Sequence, residues 1–187
     1  MRPLLRATVP AIGLLVALAV PADAQHQHGS SLTADLREDV EQLEKKMVDL
    51  ARAIPEDKFG WRPGAGVRSV SEVLMHVAAD NYLLPAAIGF LADPATGVKG
   101  NDYNTALAFE KRTVNKAQAI AEMEKSFAFL KKSLSDTPAD KLGVPVAMFG
   151  MSLTSQKAWI LATTHLHEHL GQLIAYARTN GVAPPWS

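Results

Sequence analysis

Four stretches of this chain repeat apolar residues at steps of three and four, and that period dictates helices. Leu32, Leu36, Val40, Leu43, Met47, Leu50 and Ile54 form the first stripe, with charged residues such as Glu41, Glu44, Lys45 and Lys46 on the solvated face. Thr33 or a nearby serine is placed to cap it, and Pro55 ends it. The second opens on Ser69-Val70-Ser71-Glu72, a capping-box pattern, and carries Val70, Val73, Leu74, Val77, Leu84 and Ile88. Pro85 is expected to kink or interrupt it. The third carries Ile120, Met123, Phe127, Leu130 and Leu134 and stops before Pro138. The fourth starts near Thr154 with Trp159, Ala162, Thr163, Leu166, Leu170, Leu173, Ile174 and Ala177, and Asn180-Gly181 is its expected stop. Each stripe must bury one face against another helix. Four such helices predict an all-α fold, a four-helix bundle over residues 31–187.

The connections are uneven. Phe59 to Arg68 is rich in Gly and Pro and holds Trp61. Ala92 to Asn115 is long enough to carry a function or a short helix, placed at Ala106 to Lys111. Leu142 to Met151 reads as extended or irregular.

The first 24 residues stand apart from this pattern. Arg2 and Arg6 precede an apolar run from Ala11 to Val20, which closes on Ala22-Asp23-Ala24. A basic start, a short apolar run and a small-x-small end are the three regions of a cleavable signal peptide. The run is too short for a membrane anchor, which needs about 20 apolar residues. Residues 25–30, with His26 and His28, are expected to be a flexible leader. The mature protein is therefore expected in the periplasm or secreted, with no membrane anchor after cleavage.

Composition narrows the chemistry. The 187 residues hold 19 Lys+Arg and 19 Asp+Glu, a balance that argues against nucleic acid as a partner. There is no cysteine, which excludes disulfides, iron–sulfur clusters, thiolate zinc sites and a cysteine nucleophile. No phosphate loop, dinucleotide turn or Gly-x-Ser-x-Gly elbow occurs.

Histidines carry the remaining signal. His165 and His169 are four apart on the fourth helix, so their rings share a face and can grip one ion. Taking Leu166 as the centre of the buried face, His169 falls roughly 60° and His165 about 100° to the same side. On the second helix His76 and Asp80 fall on one flank of Val77, so His76 can join the pair if the helices are neighbours. Asp80 is then a weak fourth ligand, an acid/base group or an acceptor for a histidine N–H. His167 points elsewhere and is expected to be exposed or to support a ligand from behind. Gln172 is a further supporting candidate, and Glu168 a less well-placed base. Spacing alone leaves open that these are hydrogen-bonded histidines with no ion. Trp61, Trp159 and Tyr82 read as pocket lining or core, and Gly171 as a close helix contact.

The stretch from Ser69 to Ala78, led in by Pro55, Trp61 and Pro63, resembles the second-helix motif of the DinB superfamily. His165-Leu166-His167-Glu168-His169-Leu170-Gly171-Gln172-Leu173 resembles its fourth-helix motif. The resemblance runs over about residues 31–185. It implies a four-helix bundle with an unusual connection order, a homodimer as in many relatives, and a metal site of three histidines. By motif these are His76, His165 and His169, holding zinc or nickel first, with manganese or iron as alternatives. Characterised members of that family include thiol-dependent enzymes such as mycothiol-dependent maleylpyruvate isomerase and bacillithiol transferases. The expected signal peptide sets this chain apart from them, and because those thiol cofactors are cytosolic, export argues against thiol transfer.

Three imidazoles leave a divalent ion with an open position, the arrangement of catalytic rather than structural sites. The sequence thus predicts a metal-dependent hydrolase or transferase acting on a small molecule, with Asp80 as the candidate catalytic base. A non-catalytic metal- or ligand-binding module is the alternative, and a structural bundle without metal ranks third.

Overall fold

The computed structural model describes residues 31–100 and 102–187; the expected signal peptide and the leader at 25–30 lie outside them. Five α-helices follow in order: α1 Leu32–Ala53, α2 Val70–Ile88, α3 Tyr103–Glu110, α4 Lys116–Ser135 and α5 Ser155–Thr179. Two short strands, β1 Pro145–Met148 and β2 Met151–Thr154, pair as a hairpin before α5.

Local chemistry sets the helix ends. Ser31 caps α1, its hydroxyl accepting from the Ala34 N–H. At the other end Lys116 donates to the carbonyls of Arg52 and Ile54, closing off acceptors that the helix leaves open. Ser69 and Glu72 form the expected capping box of α2, and Asn115 with Gln118 forms a second one on α4. Thr154 caps α5, which ends at Asn180 before the left-handed Gly181.

The long helices α1, α2, α4 and α5 make the bundle. α1 packs against α4 and α5, and so does α2. Consecutive helices α1 and α2 are thus diagonal, and the segment between them crosses one end of the bundle. Phe59 from that segment is buried, and Trp61 sits edge-on to Tyr176 of α5 at 5.3 Å. Each stripe read from the sequence faces the shared core, where Leu43, Met47, Leu74, Met123 and Phe127 are fully buried. Burial of such side chains contributes roughly 1.5–3 kcal/mol each. Among the described residues no helix is long and apolar enough to cross a membrane.

Three features depart from the expected layout. The short helix in the long connection is α3, which starts at Tyr103 rather than Ala106 and lies along α2. With α3, α4 and α5 around it, α2 is buried at every position from Val73 to Pro85. The irregular stretch at 142–151 is largely the hairpin, so the fold is not purely α. Its turn is Phe149-Gly150, both at positive φ (52° and 74°), as a two-residue turn of the mirror-image type requires. Finally, Pro85 does not break α2. It lies in the last turn, and the helix runs on to Ile88 before Gly89 (φ 113°) ends it.

Candidate metal centre

A helix buried all round has no reason to carry polar residues unless something meets them. α2 carries His76 and Asp80, both buried, four residues apart on one face. α5 presents His165 and His169 to that face. One ring nitrogen from each of His76, His165 and His169 lies within 4.8 Å of the other two. The rings are nearly perpendicular, with centroids 5.3 Å apart for His76–His165, 4.6 Å for His76–His169 and 4.3 Å for His165–His169. The Nε2 atoms of His165 and His169 are 3.1 Å apart.

These dimensions suit a divalent ion. Bonds of about 2.0–2.1 Å put two ligating nitrogens at most about 4.2 Å apart. The α5 pair already satisfies this, and closing the third ring onto the same point takes a shift of under about 1 Å.

Partners behind the rings fix which nitrogen faces inward. His76 donates from Nδ1 to Glu110 Oε2 at 3.0 Å, and His169 donates from Nδ1 to Gln172 Oε1 at 2.8 Å. Both rings then carry the Nε2 lone pair toward the cluster, as ligation requires. The two supports meet at one residue. Arg68 grips Glu110 with its guanidinium, Nη2 to Oε2 being 3.0 Å. Its carbonyl accepts from Tyr176, whose hydroxyl in turn accepts from Gln172. Arg68 directly precedes the cap of α2, so the start of that helix organises both sides of the cluster.

Asp80 occupies the remaining flank. Its Oδ2 lies 2.8 Å from His165 Nε2 and 3.4 Å from His76 Nε2. Its Oδ1 is buried and has no hydrogen-bond partner among the described residues.

Electrostatics separate the two α5 rings. Burial lowers His169 to about 4, with nearby His165 and His76 adding to the effect and the bond to Gln172 opposing it. It is therefore neutral at physiological pH. His165 shifts upward: burial pulls its pKa down, but the hydrogen bond and charge of Asp80 outweigh that. Burial would raise Glu110, yet hydrogen bonds from His76 and Arg68 hold it at about 2, so it is a carboxylate at neutral pH.

Not every residue singled out in the sequence reaches this centre. His167 does not support it: the ring lies half-exposed on the opposite side of α5, with Nε2 2.8 Å from Asp39 of α1. A two-residue step on a helix turns a side chain by about 200°, which is why it faces away. Glu168 is exposed, 3.6 Å from His165 Nδ1. Trp159 is core and Tyr82 is buried with its hydroxyl on Glu122. A Cβ at Gly171 would meet nothing within 4 Å, so close helix contact does not explain that glycine. Conversely, Glu110, Arg68 and Tyr176 are absent from the sequence reading. The one signal for Glu110 is the length of the connection that holds it.

The sequence profile of the DinB superfamily matches residues 39–173, and the chain belongs to that superfamily. Solved structures agree on the fold. A DinB family member from Exiguobacterium sibiricum is 21% identical at a TM-score of 0.62, over 81% of this chain and 93% of that one. YfiT from Bacillus subtilis, described as a probable metal-dependent hydrolase with an unusual four-helix bundle topology, is 13% identical at 0.63, over 84% and 93%. The mycothiol-dependent maleylpyruvate isomerase is 16% identical at 0.61, over 78% of this chain and 63% of that one. No curated protein sequence matches the chain.

Proposed function

We propose that this protein is a divalent-metal-dependent enzyme of the hydrolase or transferase type, acting on a small molecule outside the cytoplasm. The observation that carries the reading is the convergence of His76, His165 and His169, with two of the rings locked from behind so that Nε2 faces the centre. His76, His165 and His169 would hold the ion, zinc or nickel in the first instance. Bound there, the ion would acidify a water or polarise a carbonyl. The likeness to a probable metal-dependent hydrolase supports this choice of chemistry.

The protein's own groups have separate tasks. Glu110 and Gln172 hold ring orientation. Asp80 supplies the base: its unpartnered Oδ1 is an acceptor that a proton-bearing nucleophile or substrate satisfies.

The same closeness of Asp80 to two of the rings favours one competing reading. If its carboxylate ligates directly, the shell has four protein ligands and the bundle is a binding module rather than an enzyme. Elemental analysis of untagged protein tests the site: one equivalent of metal is expected, and His76→Ala should abolish it. Unchanged metal in that variant overturns the assignment. The visible spectrum of the cobalt-substituted protein separates the two readings. Catalysis expects an Asp80→Asn spectrum close to that of the parent, and a large change assigns Asp80 to the shell.

A further inference from the structure

A trough lies about 10 Å along α2 from the histidine cluster, and its chemistry differs sharply from that of the cluster. On α2, Leu83 and Ala87 follow His76 and Asp80 at helical spacing, so all four share one face. On α3, Glu110 touches His76, while Tyr103 lies seven residues earlier, two turns along the same side. Two separate elements thus lead from the cluster in the same direction. At 1.5 Å per residue, Leu83 sits about 10 Å beyond His76 along the axis and about 5 Å beyond Asp80.

At that point a cavity of about 310 Å³ opens, lined by Leu83, Ala87, Tyr103, Met148, Phe149 and the backbone of Gly100, Ala147 and Gly150. Among the described residues no charged side chain lines it. Gly100 has to be glycine, because a Cβ there would lie 2.2 Å from the Ala86 carbonyl carbon. The outer wall is the hairpin tip. Phe149 holds a left-handed backbone at φ 52°, unusual for a bulky residue, and its half-exposed ring stands edge-on to Tyr103 at 5.9 Å. The strained turn thus keeps an aromatic ring at the mouth of the trough, against Tyr103.

We propose that this trough seats an apolar tail of the substrate, a short acyl chain or an aryl group, with the substrate's polar head at His76, Asp80, His165 and His169. This inference rests on the proposed metal-dependent function and adds the substrate class. The trough holds the volume of about ten water molecules at about 30 Å³ each, which suits a phenyl ring or a chain of six to eight carbons and excludes a long lipid tail. Two helices that each carry a cluster residue and a trough residue, with the Tyr103 and Phe149 rings at the far end, make a site that reads a polar head and an apolar tail together.

The test uses two hydroxamates on zinc-loaded full-length protein: acetohydroxamate, which has a head and almost no tail, and phenylacetohydroxamate. Calorimetry is expected to show the second binding at least tenfold more tightly. Phe149→Gly suits the positive φ and removes the ring, and Ala87→Phe fills the trough. Both should bring the ratio of the two affinities toward one. Equal affinities in the parent, or a ratio untouched by both variants, overturn the proposal. If zinc itself fails to bind, the metal function falls, and the trough is then judged alone with 2-phenylethanol. Saturable shifts of the Leu83 and Met148 methyl NMR signals support it, and no such shifts overturn it.

Discussion

Glu110 accepts a hydrogen bond from Nδ1 of His76 at 3.0 Å, linking the short helix α3 to a residue of the candidate metal centre. The carboxylate is itself anchored by Arg68, so His76 has little freedom to rotate away. Groups in this position usually set metal affinity within a factor of 10–100. Glu110→Gln is therefore expected to weaken zinc binding by about 10–100-fold, measured by titration against a competing chelator. An affinity equal to the parent's would show that α3 only covers the site.

His167 provides the matching contrast. It lies on the same helix and within the same motif, but its ring pairs with Asp39 at the surface. His167→Ala should keep the full metal content, while His169→Ala should lose it. Since exposed pairs are worth about 0–1 kcal/mol, the stability of His167→Ala should change by no more than that. Loss of metal in His167→Ala would mean that the helix face is misassigned.

Metal should also stabilise the fold. An ion bound only by the folded state adds RT ln(1 + [L]/Kd), about 2.7 kcal/mol at a hundredfold excess over Kd. Thermal melting with and without a chelator should therefore differ by several degrees. Coincident curves for the parent and His76→Ala under both conditions would count against any bound ion.

The capping box of α2 predicts an acid-sensitive term. Glu72 is held below its ordinary value of 4.5, first by the Ser69 N–H and then, against the pull of burial, by Arg62. As pH falls, the unfolded chain takes up the proton before the folded one does. The stabilisation is thus complete above about pH 4.5 and is lost as pH falls through the lower native value. Glu72→Gln should flatten this part of the urea-midpoint profile while leaving its slope above pH 5.5 unchanged. A parallel offset at every pH would mean that the charge has no role. Ser69→Ala removes the reciprocal bond and should cost about 1 kcal/mol at all pH values.

The exported address predicted by residues 1–24 has a direct check. Fractionation of the native host should find the protein outside the cytoplasm, and sequencing its N-terminus should start near Gln25. A cytoplasmic protein beginning at Met1 would overturn the reading.

What the sequence made legible follows from what periodicity encodes. The stripes of α1, α2, α4 and α5 are visible because a period of 3.6 is written in each one. His76, His165 and His169 could be singled out because an i,i+4 pair and a core-edge position are properties of a single helix. Which helices touch is not such a property: nothing in the α1 and α2 stripes shows that they are diagonal. Glu110 was hidden for a related reason, since α3 is too short for a periodic signal and its partner lies across the fold. The hairpin was obscured by its turn, where Phe149 occupies a position that usually takes asparagine or glycine.

Asp80 and His165 meet at 2.8 Å although they are 85 positions apart along the chain. The cluster is incomplete while the polypeptide is still emerging, because α5 is synthesised well after α2. A chain that has not yet reached α5 holds only one of the three candidate histidines, His76. If the site holds an ion, loading must wait until α5 docks, and the ion would then come from the compartment in which folding finishes, whose supply would decide the element.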